Sequence, residues 1–160
     1  MNTAPFQNIP EVVHTYLAQV KQFIQETEQL GLVERVTGPA LYNCEKNWSV
    51  LFNVYPSHKD KVDEVFERLV QIARRIATRL AGENGEIISA KVGKGEISDQ
   101  GQTYFEITRG HIFECYQYGT ECFAYIRVFQ EKKISGGESW ISFDMDFMEK
   151  SAWFNEKLTI

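Results

Sequence analysis

No stretch of this sequence stays apolar and uncharged for the length that a bilayer crossing requires. Residues 1–10 lack the basic start and apolar middle of a secretory signal, so the chain is expected in the cytoplasm, away from any membrane. Three cysteines, Cys44, Cys115 and Cys122, are an odd number and make no disulfide framework. Positive charge is also short. With 17 Lys and Arg against 22 Asp and Glu the net charge is −5, which argues against nucleic acid as a partner, because phosphate backbones call for a concentrated positive field. The motifs of familiar chemistries are missing too. No C-x-x-C or H-x-x-x-H spacing suggests zinc, and no G-x-S-x-G marks a nucleophile. Gly93-Lys94-Gly95-Glu96 has the spacing of neither a P-loop nor a dinucleotide fingerprint. No metal and no cofactor are therefore expected. Without internal repeats, low-complexity tracts or linkers, residues 1–160 read as one domain behind a loose lead-in, 1–8.

What is present is hydrophobic periodicity of two kinds. Val13, Tyr16, Leu17, Val20 and Ile24 recur at helical spacing and predict a helix from Pro10 to about Leu30, with His14 at the edge of its stripe. The strongest helical signal runs from Ser57, as cap, with Asp60 three residues on, to about Ala81 and a stop at Gly82. Its first half is acidic and its second half basic, which complements the helix dipole. Arg68, Arg74, Arg75 and Arg79 form a weak anion-binding candidate, since they spread too far around the helix to face one ligand.

Alternation with a period of two predicts the strands. A short edge strand, Leu32–Val36, ends at Gly38-Pro39. A hairpin follows from Ala40 to Tyr55, turning at Lys46-Asn47. Another strand covers 86–92, with 93–96 as a bulge or loop beside the sheet. Gln102 to Phe147 then reads as a meander of four strands. They are joined at Arg109-Gly110-His111, at Gly119-Thr120, and by a loop holding Ser135-Gly136-Gly137. Residues 149–160 read as a short terminal helix or edge segment.

This element order predicts an α+β domain, with two main helices packed on one face of a curved antiparallel sheet of roughly five to seven strands. It is similar to the order found in cystatin-like and NTF2-like cone folds. Register follows from keeping every apolar set on one side. A turn at Gly110 sets Phe105 opposite Cys115 and Ile107 opposite Phe113. The next turn sets Cys115 opposite Ala124 and Phe113 opposite Ile126, and the third pairing brings Ile126 near Phe143 and Ala124 near Met145. The reverse face then carries one row of Glu106, Glu114, Tyr125 and Asp144, and a second of Tyr104, Tyr116, Phe123 and Asp146. Arg127 lies beside them with Ile112 and Ser142, and Phe129 stands opposite Trp140.

Carboxylates and rings interleaved around one arginine predict a small soluble intracellular binding or regulatory module that engages a protein partner or its own copy. On that expectation Arg127, Tyr125, Tyr116, Tyr104, Phe129 and Trp140 make the binding surface. The alternative is an enzyme or ligand carrier with a pocket in the cone. There Glu114, Asp144 or Glu106 is the acid or base, Arg127 anchors a small anionic ligand, and the tyrosines form walls.

Overall fold

The computed structural model describes residues 11–44, 47–99, 102–117, 122–134 and 138–148, without the side chains of 11–15, 41–44, 47–48, 96–99, 102–104 and 117. The sequence readings for the lead-in, Pro10, the turns at Lys46-Asn47 and Gly119-Thr120, the Ser135–Gly137 loop and the segment 149–160 lie outside these residues. So do those for the side chains of His14, Cys44, Trp48 and Tyr104.

A stripe of Val65, Phe66, Leu69, Val70, Ala73, Ile76, Ala77 and Leu80 is buried along α2 (Val62–Ala81), and this spacing is what makes the segment a helix against a sheet. Asp63 and Glu64 in its first turn and Arg79 in its last suit the helix dipole, and Glu64 pairs with Arg68 at 3.2 Å. The start differs from expectation. A single 3-10 turn, Lys59–Lys61, precedes the helix, Lys61 occupies the cap position, and no side chain caps it. The Ser57 hydroxyl donates instead to the Gly31 carbonyl at 2.5 Å, and its N–H to the Leu32 carbonyl at 2.9 Å. These bonds tie the approach to α2 to the turn that follows α1 (Glu11–Gln29). Tyr16, Leu17, Val20 and Phe23 of α1 are buried in the same core.

Seven antiparallel strands form one open sheet: β1 (Val33–Cys44), β2 (Asn47–Pro56), β3 (Gly85–Val92), β4 (Gly95–Asp99), β5 (Gln102–Gln117), β6 (Cys122–Lys133) and β7 (Ser139–Met148). Their order is β1-β2-β7-β6-β5-β3, and β4 pairs with β5 as well, beyond the end of β3. Residues 93–96, expected as a bulge or loop, thus hold the break between β3 and β4 and the first residues of β4. Val50, Phe52, Phe113, Ile126, Val128, Phe143, Met145 and Phe147 point from the sheet into a core shared with both helices, each at 1% exposure or less. Burying each such side chain contributes about 1.5–3 kcal/mol, so this face is what holds helices and sheet together.

Three strand readings are corrected. Gly110 is not a turn: β5 runs through it as one strand of 16 residues, so the four-stranded meander is three strands. Phe105 and Ile107 consequently face Lys133 and Glu131 of β6 rather than Cys115 and Phe113. The glycine is there for room. A Cβ on Gly110 would lie 2.7 Å from Phe129 Cε1 and closer still to Cδ1, so only glycine lets that ring lie across the strand. In the β6–β7 pairing, Ile126 faces Met145 and Ala124 faces Phe147, a slip of two residues that leaves every side chain on its expected face. Finally, β1 does not stop at Gly38-Pro39. The register shifts between Thr37 and Ala40, and the strand continues. Gly38 has φ +93°, open to glycine at little cost, and β1 is an edge strand, where a proline without an N–H is tolerated.

Candidate functional site on the sheet face opposite the two helices

Alternation carries the even-numbered residues of β7, and the odd-numbered residues of β6 from Tyr125 onward, to the face that neither α1 nor α2 covers. Across it, Ser49, Asp146, Tyr125 and Glu114 form one row from β2 to β5. The next row is Leu51, Asp144, Arg127 and Ile112, and the third is Asn53, Ser142, Phe129 and Gly110. Arg127 Nη2 donates to both Asp144 and Asp146, the latter at 2.5 Å, and Asp146 also accepts the Ser49 hydroxyl. Arg127 Nε is buried and has no acceptor among the described residues. Burial pushes the Asp144 carboxyl up. Arg127 pulls it back down, and neighbouring Asp146 raises it again. In the first row the Tyr116 hydroxyl donates to Glu114 at 2.7 Å, and this bond to a carboxylate pushes the tyrosine up to about 12.

Further along, Glu131 is buried at 7% exposure. It accepts the Trp140 indole N–H at 2.7 Å. Desolvation raises the Glu131 carboxyl, the hydrogen bonds from Trp140 and Ser142 lower it, and Asp144 adds a smaller upward push. Trp140 meets Phe105 edge-on at 5.2 Å between centroids and lies 6.0 Å from Tyr55. Arg35 stacks 3.9 Å over the Tyr55 ring and pairs with Glu138 at 2.8 Å. Glu131, Trp140, Phe105, Tyr55 and Glu138 wall an open groove of about 530 Å³, with Phe129, Arg127 and Asp144 at its other end.

The structure brings Arg127, Asp144, Phe129 and Trp140 around this groove, with Tyr125 and Glu114 in the adjoining row and Tyr116 bonded to Glu114 beyond it. Two expected members are elsewhere. The β5–β6 register shifts between Ile107 and Arg109, and this bulge reverses the faces of the residues before it. Glu106 therefore leaves the acidic row and pairs with Lys132 at 3.4 Å in a separate recess beside Lys94. A second bulge, where Cys115 faces Ala124 but Tyr116 faces Cys122, leaves Phe123 as the extra residue, fully buried. The backbone of Tyr104 lies in β5, and its side chain is outside the described residues.

Sequence reasoning missed Glu131, Phe105, Tyr55 and Glu138. Glu131 was within reach, since one more step of the alternation Tyr125, Arg127, Phe129 arrives at it. Phe105 was not, because only the bulge turns it to this side. Nor do the four arginines of α2 converge: Arg68 is held by Glu64, and Arg74 lines a recess between α2, β3 and β5 whose lining includes none of the other three. Cys115 is a buried free thiol pushed up to about 12 by desolvation, and Cys122 is free as well. Among the described residues no three His, Cys, Asp or Glu side chains gather to hold a metal. None of their helices is long and apolar enough to cross a membrane.

Fold and site define an α+β protein whose two helices cover one sheet face and whose other face carries a groove of rings and carboxylates. Comparison with protein-family models, with curated proteins and with solved structures finds no match.

Proposed function

We propose that the protein is a binding module whose groove on the sheet face opposite α1 and α2 holds a basic segment of a protein partner or of a second copy of itself. The observation that carries this is the set of four rings, Tyr55, Phe105, Phe129 and Trp140, around one open groove. Aromatic rings give large contact area at low entropic cost, and their faces attract cations. The charge of the groove supports the same choice. Its lining holds two cations, Arg127 and Lys133, and Arg127 is already held by two carboxylates. Three carboxylates, Glu131, Glu138 and Asp144, stand against those two cations, an acidic balance that suits an incoming lysine or arginine. The engagement of Arg127 also weighs against its use as an anchor for an anionic ligand.

An array of basic, acidic and purely apolar peptides tests the proposal. Wild-type protein is expected to select the basic ones, and Phe129→Ala to lose them. Light scattering on the purified protein separates a second copy from a foreign partner. Binding of acidic peptides alone, or binding unchanged in Phe129→Ala, would overturn the reading. One observation favours the alternative of a small-ligand enzyme or carrier. Two carboxyls with raised proton affinity, Glu131 and Asp144, face a groove of small-molecule size. On that alternative a compound from a small-molecule screen should displace the peptide.

A further inference from the structure

On the other side of the sheet, a recess of about 340 Å³ opens between residues 66–74 of α2 and the strands β3 and β5. Its basic lining comes from three elements: Arg74 of α2, Lys91 of β3, and Arg109 and His111 of β5. Glu67 is the one carboxylate in that lining, and Phe66 and Val70 give it an apolar wall. In a chain of net charge −5, this is an unusual concentration of positive charge.

The geometry is built rather than incidental. Lys91 and His111 are directly opposite cross-strand partners, so their side chains emerge together on the helix side. The His111 ring stacks on Phe113 with centroids 4.6 Å apart and planes 4° apart, and its Nε2 lies 2.7 Å from the Ser89 hydroxyl. The Arg74 guanidinium lies 5.3 Å from the centroid of that same Phe113 ring. Arg109 is held over the Phe66 ring at 4.2 Å by bonds to Asp63 at 2.5 Å and Gln130 at 2.7 Å. Arg74 and Lys91, by contrast, have no ion-pair partner among the described residues. Like charges gathered this way repel one another, and an anion between them would relieve the repulsion.

We propose that this recess binds the phosphate group of a small phosphorylated molecule. Arg74 and Lys91 supply its unneutralised cations, Arg109 stands preset beside them, and Phe66 and Val70 receive the apolar part. A doubly charged tetrahedral anion suits three cations that approach from different directions, and guanidinium groups bond phosphate oxygens in pairs.

His111 reports occupancy. Desolvation holds its imidazole below the usual histidine range, Arg74 and Lys91 push it further down, and Glu67 pushes it up. Ser89 of β3 and Val128 across on β6 add no charge. An anion in the recess adds negative charge beside the ring, so its titration midpoint must rise. The experiment is an NMR titration of the three histidines with inorganic phosphate, pyrophosphate or acetate at one ionic strength. Phosphate and pyrophosphate should move the His111 midpoint upward, with His58 on the exposed turn before α2 unmoved and acetate without effect. Arg74→Gln and Lys91→Gln, both at exposed positions, should each weaken the effect about tenfold, and Arg75→Gln should leave it intact. An unmoved His111, an equal response to acetate, or a response that survives in the Arg74→Gln, Lys91→Gln double variant would overturn the proposal.

Discussion

Glu131 is a carboxylate where the fold would be better served by a neutral group. Its burial raises the pKa above the unfolded value, so the folded chain holds the proton at pH values where the unfolded chain has released it. The sign is therefore fixed. Stability linked to Glu131 is complete below the ordinary glutamate range and is lost as pH rises through the raised folded value. Asp144, also raised chiefly by burial, acts in the same direction. Glu131→Gln keeps an oxygen to accept the Trp140 N–H and removes the charge. Urea denaturation should find this variant gaining on wild type steadily from about pH 4 to about pH 8. Stability curves that run parallel across this range would mean that Glu131 titrates as if in water. Trp140→Phe keeps the ring and removes the only donor on it, which leaves a buried carboxylate short of a partner. It should cost about 1–3 kcal/mol at neutral pH.

Among the elements, β5 and its neighbours decide which side chains meet. Gly110 and Phe129 face each other across β5 and β6, and the ring occupies the space a Cβ would need. Gly110→Ala should destabilise by about 1–3 kcal/mol through overpacking. In a double-mutant cycle with Phe129→Ala the combined loss should fall short of the sum, and strict additivity would show that the two do not share that space. The same pair explains what was legible in the sequence. Period-2 alternation placed Phe113, Ile126 and Phe143 on one face and Arg127 and Asp144 on the other, because faces survive any slip of two residues. It could not separate a glycine that turns a chain from one that admits a neighbouring ring, and so it divided β5 in two. Bulges were equally hidden. A single extra residue carried Phe123 into the core and moved Glu106 off the acidic row, and neither bulge leaves a mark in composition.

In the molecule as a whole, α1 and α2 close one side of the sheet, and two of the recesses among the described residues have opposite character. The groove of rings and carboxylates lies on the bare face, and the basic recess lies at the edge of α2. Their separation by the sheet predicts independence: pyrophosphate should leave peptide affinity unchanged, and Arg74→Gln should not alter the peptides selected. The core between them sets the stability of both. Leu69→Ala, at a fully buried position of α2, should lower it by about 2–5 kcal/mol in chemical denaturation. The central claim is that recognition happens on the bare face, and amide chemical-shift mapping with the best basic peptide from the array tests it most directly. The largest shifts should cluster on β2, β6 and β7 around Asn53, Phe129 and Ser142. Shifts confined to α2 and β3, or spread evenly over the chain, would contradict it.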